Sequence, residues 1–98
     1  MIEVDTDVLI THGPPMGYGD SVYRMDWDGK VRSENVGCEN LLNTIKVIKP
    51  SFHVCGHIHG GNGVYPMGNT KVINASVCTE RYDPTQQPIV FNIKEKIK

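Results

Sequence analysis

Apolar positions fall into short runs separated by glycine- and proline-rich breaks, and the period of the runs changes along the chain. Asp7-Val8-Leu9-Ile10-Thr11 carries three consecutive apolar side chains just before His12 and Gly13, a pattern that suits a central strand covered on both faces. Gly13-Pro14-Pro15 ends pairing there, because proline lacks an amide donor and restricts the residue before it. Residues 13–37, with Gly17, Gly19 and Asp20 and then Asp26 to Gly29, read as one long surface loop. A connection of that length in so small a chain goes with an active site or an interface. From Cys38 to Lys49 the period becomes helical, with Leu41, Leu42, Ile45 and Ile48 on one stripe. Glu39 sits near the positive end, Lys46 and Lys49 near the negative end, and Pro50 supplies the stop.

Phe52 through Cys55 predicts a further strand, entering a Gly56 to Gly63 loop. Strand, helix and strand in this order favour a right-handed parallel crossover, which places His12 and His57 at the same carboxyl edge. Val64-Tyr65-Pro66 and Thr70 to Asn74 flank the reversal Met67-Gly68-Asn69, and Pro66 confines its strand to an edge or bulge. Ile89 to Ile93 reads as a final strand and 94–98 as a frayed tail. The expectation is one small α/β domain over 1–98 with mixed sheets, carrying little thermodynamic margin.

Charge and cysteine usage narrow the partners. The 10 Lys plus Arg against 11 Asp plus Glu give a net charge of -1, and the basic residues are dispersed, which argues against nucleic acid as the main partner. Cys38, Cys55 and Cys78 form no Cys-x-x-Cys pair, so neither a disulfide framework nor a four-cysteine zinc module is indicated, and reduced, mainly buried thiols are expected. No basic segment leads into an apolar run, and no stretch approaches the roughly 18 apolar residues of a membrane span. The expected setting is cytoplasmic, with no membrane partner. In that setting Asn74-Ala75-Ser76, which matches a glycosylation acceptor, is expected to go unmodified.

The candidate chemistry lies in the histidines. Gly56 and Gly60 bracket His57 and His59 in Cys55-Gly56-His57-Ile58-His59-Gly60, so a permissive loop can aim the two imidazoles at a metal alongside His12. Zinc, manganese or iron accepts imidazole, and an open coordination position yields a metal-bound hydroxide. The same spacing also fits ordinary polar loop residues, and His53 is expected to belong to its strand. Carboxylates are scarce around this set. Glu39 belongs to the first turn of the helix, and Asp20, with Gly13, Gly60 and Asn62, is a candidate substrate or rim contact. Tyr18, Tyr23 and Trp27 give the long loop an aromatic content suited to covering a ligand base or to pinning the loop to the core.

Several of these stretches together resemble one family. Asp7-Val8-Leu9-Ile10-Thr11-His12-Gly13-Pro14-Pro15, Gly37-Cys38 with Leu41-Leu42, Phe52-His53-Val54-Cys55-Gly56-His57-Ile58-His59, and Asn74-Ala75-Ser76-Val77-Cys78 with Pro88-Ile89-Val90-Phe91 are similar to the carboxyl half of calcineurin-like metallophosphoesterases, particularly the metallophosphoesterase domain-containing branch. The resemblance implies about half of a four-layer α/β/β/α sandwich. It implies two divalent metal ions (manganese, iron, zinc or magnesium), with His12 and His57 on one and His59 on the other. It further implies hydrolysis of phosphodiesters or cyclic nucleotides by a metal-bridging hydroxide. The family's amino-half Asp-x-His and Gly-Asn-His motifs do not occur, Gly19-Asp20 lies in the long loop and does not replace the family's Gly-Asp element, and some close relatives have Glu where Gly60 stands and Tyr where Asn62 stands.

The isolated chain is therefore expected to be inactive until an amino-half polypeptide, or another copy in a homo-oligomer, completes it. Two alternatives stand beside this reading: an inactive remnant that binds or regulates a protein, and a small structural zinc module.

Overall fold

The computed structural model describes residues 5–78 and 83–93; the expected 94–98 tail lies outside the described residues. In chain order the elements are β1 (Val8–Ile10), β2 (Ser21–Met25), β3 (Val31–Asn35), α1 (Glu39–Ile48), β4 (Phe52–Cys55), β5 (Gly63–Met67) and β6 (Thr70–Asn74). A 3-10 turn, His59–Gly61, precedes β5. Four strands form one sheet in the order β1-β4-β6-β5. β1, β4 and β6 are parallel, while β5 returns antiparallel to β6. β2 and β3 form a separate antiparallel hairpin. This is a mixed α/β fold with one helix among the described residues, consistent with part of an α/β/β/α sandwich, and these residues do not by themselves build four layers.

The helix begins and ends where its sequence predicts. Cys38 is the N-cap, its sulfur accepting the Leu41 N–H at 3.4 Å, and Lys49 closes the last turn through its own N–H to the Ile45 carbonyl. The apolar stripe faces the sheet: Ile45 joins Cys55, Val72 and Met67 in the buried core, with Leu9, Leu41, Leu42, Tyr18 and Tyr65 packed around them. Side chains alternate along a strand, so Phe52, Val54 and Ile73 occupy the opposite face, where Phe91 stacks on Phe52 with ring centroids 4.4 Å apart.

Three expectations need correction. β1 is an outer strand of its sheet among the described residues, and Ile10 is 75% exposed, so the apolar run marks one covered face rather than two. The 13–37 segment is not structureless. Within it β2 and β3 pair in register from Ser21↔Asn35 to Met25↔Val31 around an Asp26 to Lys30 turn, and Arg24–Glu34 and Arg32–Asp26 ion pairs flank the ladder. Ile89 to Ile93 forms no strand, and that segment instead places Phe91 over Phe52. Pro66, by contrast, lies in the other outer strand, β5, as its missing donor requires.

Ile45 is the helix residue most enclosed by the sheet. Ile45→Ala is expected to cost about 2–4 kcal/mol, through lost transfer free energy and the cavity left behind. Urea unfolding of the variant against the parent chain measures this directly.

Candidate functional site

The parallel ladder continues past the ends of β1 and β4: Thr11 N–H donates to the Val54 carbonyl and Gly56 N–H to the His12 carbonyl, both at 3.0 Å. These bonds bring the backbones of residues 12 and 56 side by side at the carboxyl edge. His57 follows with φ +68, a left-handed conformation that costs a non-glycine residue on the order of 1 kcal/mol. That turn swings its ring to His12, with centroids 4.5 Å apart and planes inclined by 38°. Both histidines are exposed. Two of the three expected imidazoles therefore meet.

His59 takes another course. It opens the 3-10 turn, and its carbonyl accepts a hydrogen bond from the Gln86 side-chain amide at 3.1 Å. Among the described residues no group of three or more His, Cys, Asp or Glu is placed to hold a metal ion. The donors here amount to a pair of imidazoles, whereas two divalent cations also need bridging and terminal oxygen ligands. The described residues alone do not fit a two-metal centre. Cys55 adds nothing to the set: it is buried in the core, and burial pushes its thiol up to about 11, so it stays protonated near neutrality. Cys38, expected among mainly buried thiols, is exposed because its sulfur serves as the helix cap.

The candidate rim residues have separate fates. Asp20 is only 1% exposed, and its Oδ2 accepts the N–H groups of Gly17 and Gly37 at 2.9 and 2.8 Å. That carboxylate ties off the base of the hairpin instead of lining a rim. Gly13 accepts the Thr11 hydroxyl and, with Thr11, Pro14, Leu41, His57 and Ile58, borders an open cavity of about 410 Å³. Gly60 is exposed, and Asn62 donates its side-chain amide to the Ser76 carbonyl at 2.8 Å. Of the loop aromatics, Tyr18 packs on the core while Tyr23 and Trp27 remain exposed, Trp27 completely.

Three polar side chains that did not stand out as functional in the sequence hold this edge together. Asn74, with no exposed surface, donates to the carbonyls of Gly19 and Ile58 and accepts the Ser76 N–H. Because both amide hydrogens are committed in the interior, the glycosylation motif is inaccessible in the folded chain. Gln86 places its amide nitrogen near the carbonyls of His59, Ser76 and Cys78.

His53, also with no exposed surface, lies beneath the pair: its Nε2 is 2.8 Å from the Thr11 hydroxyl, which itself donates to Gly13. That direction of donation puts the ring proton on Nε2 and leaves Nδ1 buried without a partner. Charging the ring would bury an unpaired N–H, and desolvation accordingly lowers the His53 pKa from 6.5 to about 4.

No protein-family model matches the chain. Sequence comparison with individual proteins does find relatives. The chain is 46% identical over 94 residues to metallophosphoesterase domain-containing protein 1 of Homo sapiens, a match covering 95% of this chain and 27% of that protein. Two UPF0046 proteins of Caenorhabditis elegans are each 42% identical, over 92 and 93 residues, covering 94% of this chain and 29% and 32% of their own lengths. The chain thus spans roughly a quarter to a third of the length of these three relatives.

Two outcomes follow from the buried polar groups. Between about pH 4 and 6.5 the unfolded chain binds a proton at residue 53 that the folded chain refuses. Stability from this group is complete above pH 6.5 and is lost as pH falls toward 4, by about 3 kcal/mol in total. Urea unfolding across this window should show a shallower pH slope for His53→Gln than for the parent; parallel slopes would refute the assignment. Asn74→Ala leaves buried carbonyls without donors and should cost about 2–4 kcal/mol, with amide exchange accelerated first at Ile58 to Gly61.

Proposed function

From the homology of this chain to the metallophosphoesterase domain-containing and UPF0046 family, consistent with a calcineurin-like metallophosphoesterase branch, we propose that it is a protein-binding segment of a metallophosphoesterase fold, catalytically incompetent by itself. The observation that carries this reading is the exposed His12–His57 contact with no third metal donor gathered beside it among the described residues. A lone imidazole pair supplies too few donors, and too little negative charge, to hold two neighbouring divalent cations. β1, an outer strand among the described residues, adds a second reason, since a sheet edge is a template for pairing with further polypeptide. The partner in this proposal is the remaining part of a metallophosphoesterase domain, which would bring carboxylates to the histidine edge. In the completed site His12 and His57 are assigned to one divalent cation and His59 to a second. The substrates proposed for that assembly are phosphodiesters, including cyclic nucleotides.

The purified chain, supplied with manganese or zinc, is expected to hydrolyse bis(4-nitrophenyl) phosphate no faster than the free ions. It is expected to bind the human relative from which the matching segment has been deleted, as read by calorimetry. His57→Ala should leave that binding intact while abolishing any hydrolysis the mixture acquires. Hydrolysis by the chain alone that disappears in His57→Ala would refute catalytic incompetence, and an absence of binding would refute the docking role.

A further inference from the structure

At the end of the sheet opposite the histidines, where β6 begins, α1 and the β5–β6 turn border an open cavity of about 420 Å³. Tyr18, Ile45 and Met67 contribute an apolar floor, while Lys46, Lys49 and Asn69 stand at its polar side. Among the described residues the lining holds two cations and no carboxylate, and neither lysine has an ion-pair partner. Thr70, also in the lining, is already occupied, its hydroxyl donating to the Pro50 carbonyl. The volume falls in the range of small-molecule sites.

Lys49 supplies a second, independent observation. It closes α1 in the left-handed conformation, φ 55 and ψ 55, where glycine or asparagine is the usual choice because a larger side chain is strained there. A lysine at that position is favourable toward the helix dipole, but Lys46 in the same last turn already provides that charge. The strained position is explained if the ammonium of Lys49 is needed at the cavity.

We propose that this cavity binds a small organic phosphate monoester, its phosphate between Lys46 and Lys49 beside Asn69 and its apolar part against Tyr18, Ile45 and Met67. The charge argument selects the class, because a phosphate monoester carries close to two negative charges near neutral pH, matching two lysines without an ion pair among the described residues. The site is separate from His12 and His57 and does not depend on the function proposed for them.

The test uses phenylphosphonate, which has no ester bond to hydrolyse, titrated into the chain at mildly alkaline pH, where it is a dianion, in the presence of EDTA and followed by amide chemical shifts. Saturable shifts are expected at Lys49 and Asn69, with His57 unmoved. The Lys46→Gln/Lys49→Gln double variant should bind about tenfold more weakly, the scale of one decade in Kd, and inorganic phosphate should bind more weakly than phenylphosphonate. Lys49→Gly separates the proposal from a structural role: it relieves the backbone strain and should raise the unfolding midpoint while weakening binding. The absence of saturable shifts, shifts confined to Gly56 and His57, or equal affinity in the double variant would overturn the site. Equal affinity for inorganic phosphate would overturn the role of the apolar floor.

Discussion

The carboxyl edge of the sheet depends on one carboxamide. Asn74 ends β6, and its single planar group bonds the turn before the hairpin at Gly19, the histidine loop at Ile58 and its own strand's exit at Ser76. Aspartate would supply no donors for the two carbonyls, and an aliphatic residue would leave all three backbone groups buried and unsatisfied, each at a cost of about 1–3 kcal/mol. The arrangement also requires the bare backbone of Gly61. A Cβ there would overlap the Gly19 carbonyl and lie 2.8 Å from the Asn74 amide nitrogen. The direction in which His57 leaves β4 is consequently decided by a buried polar group on a neighbouring strand.

The same logic separates what the chain displays in its sequence from what it conceals. β1, α1, β4 and β6 were legible because each has a covered face, and a covered face imposes a period on the apolar residues. The placement of His12 and His57 at one edge followed from the parallel order, since two strands joined by a helix end at the same edge, whereas the contact of their rings also needs the left-handed turn at His57. The β2–β3 hairpin was hidden because β3 is exposed throughout and β2 nearly so, leaving no hydrophobic contrast to read. Ile89 to Ile93 shows the converse: its apolar residues resemble a strand, but Phe91 is spent on stacking with Phe52.

Within the site, residue chemistry was easier to anticipate than residue placement. Asp20 and Asn74 both have surface-like sequence signatures, a loop carboxylate and a glycosylation motif, yet both are interior hydrogen-bonding groups. His53 was rightly assigned to a strand; what the sequence withheld is that its ring, through Thr11 and Gly13, braces the backbone on either side of His12. His59 was grouped with its neighbours by spacing and by the family resemblance, and the 3-10 turn in which it stands is held by bonds from the nearby Tyr65 and from Asn74 and Gln86, which are distant in sequence.

The hairpin's exposure has a thermodynamic meaning of its own. Tyr23, Met25 and Val31 share one face and are largely solvated, while the other face carries the ion pairs. Parting β2 from β3 would therefore uncover little apolar area, and exposed ion pairs contribute at most about 1 kcal/mol each. Denaturant sensitivity scales with newly exposed surface, so parting the two strands is expected to respond only weakly to denaturant, as low-cost local openings do relative to global unfolding.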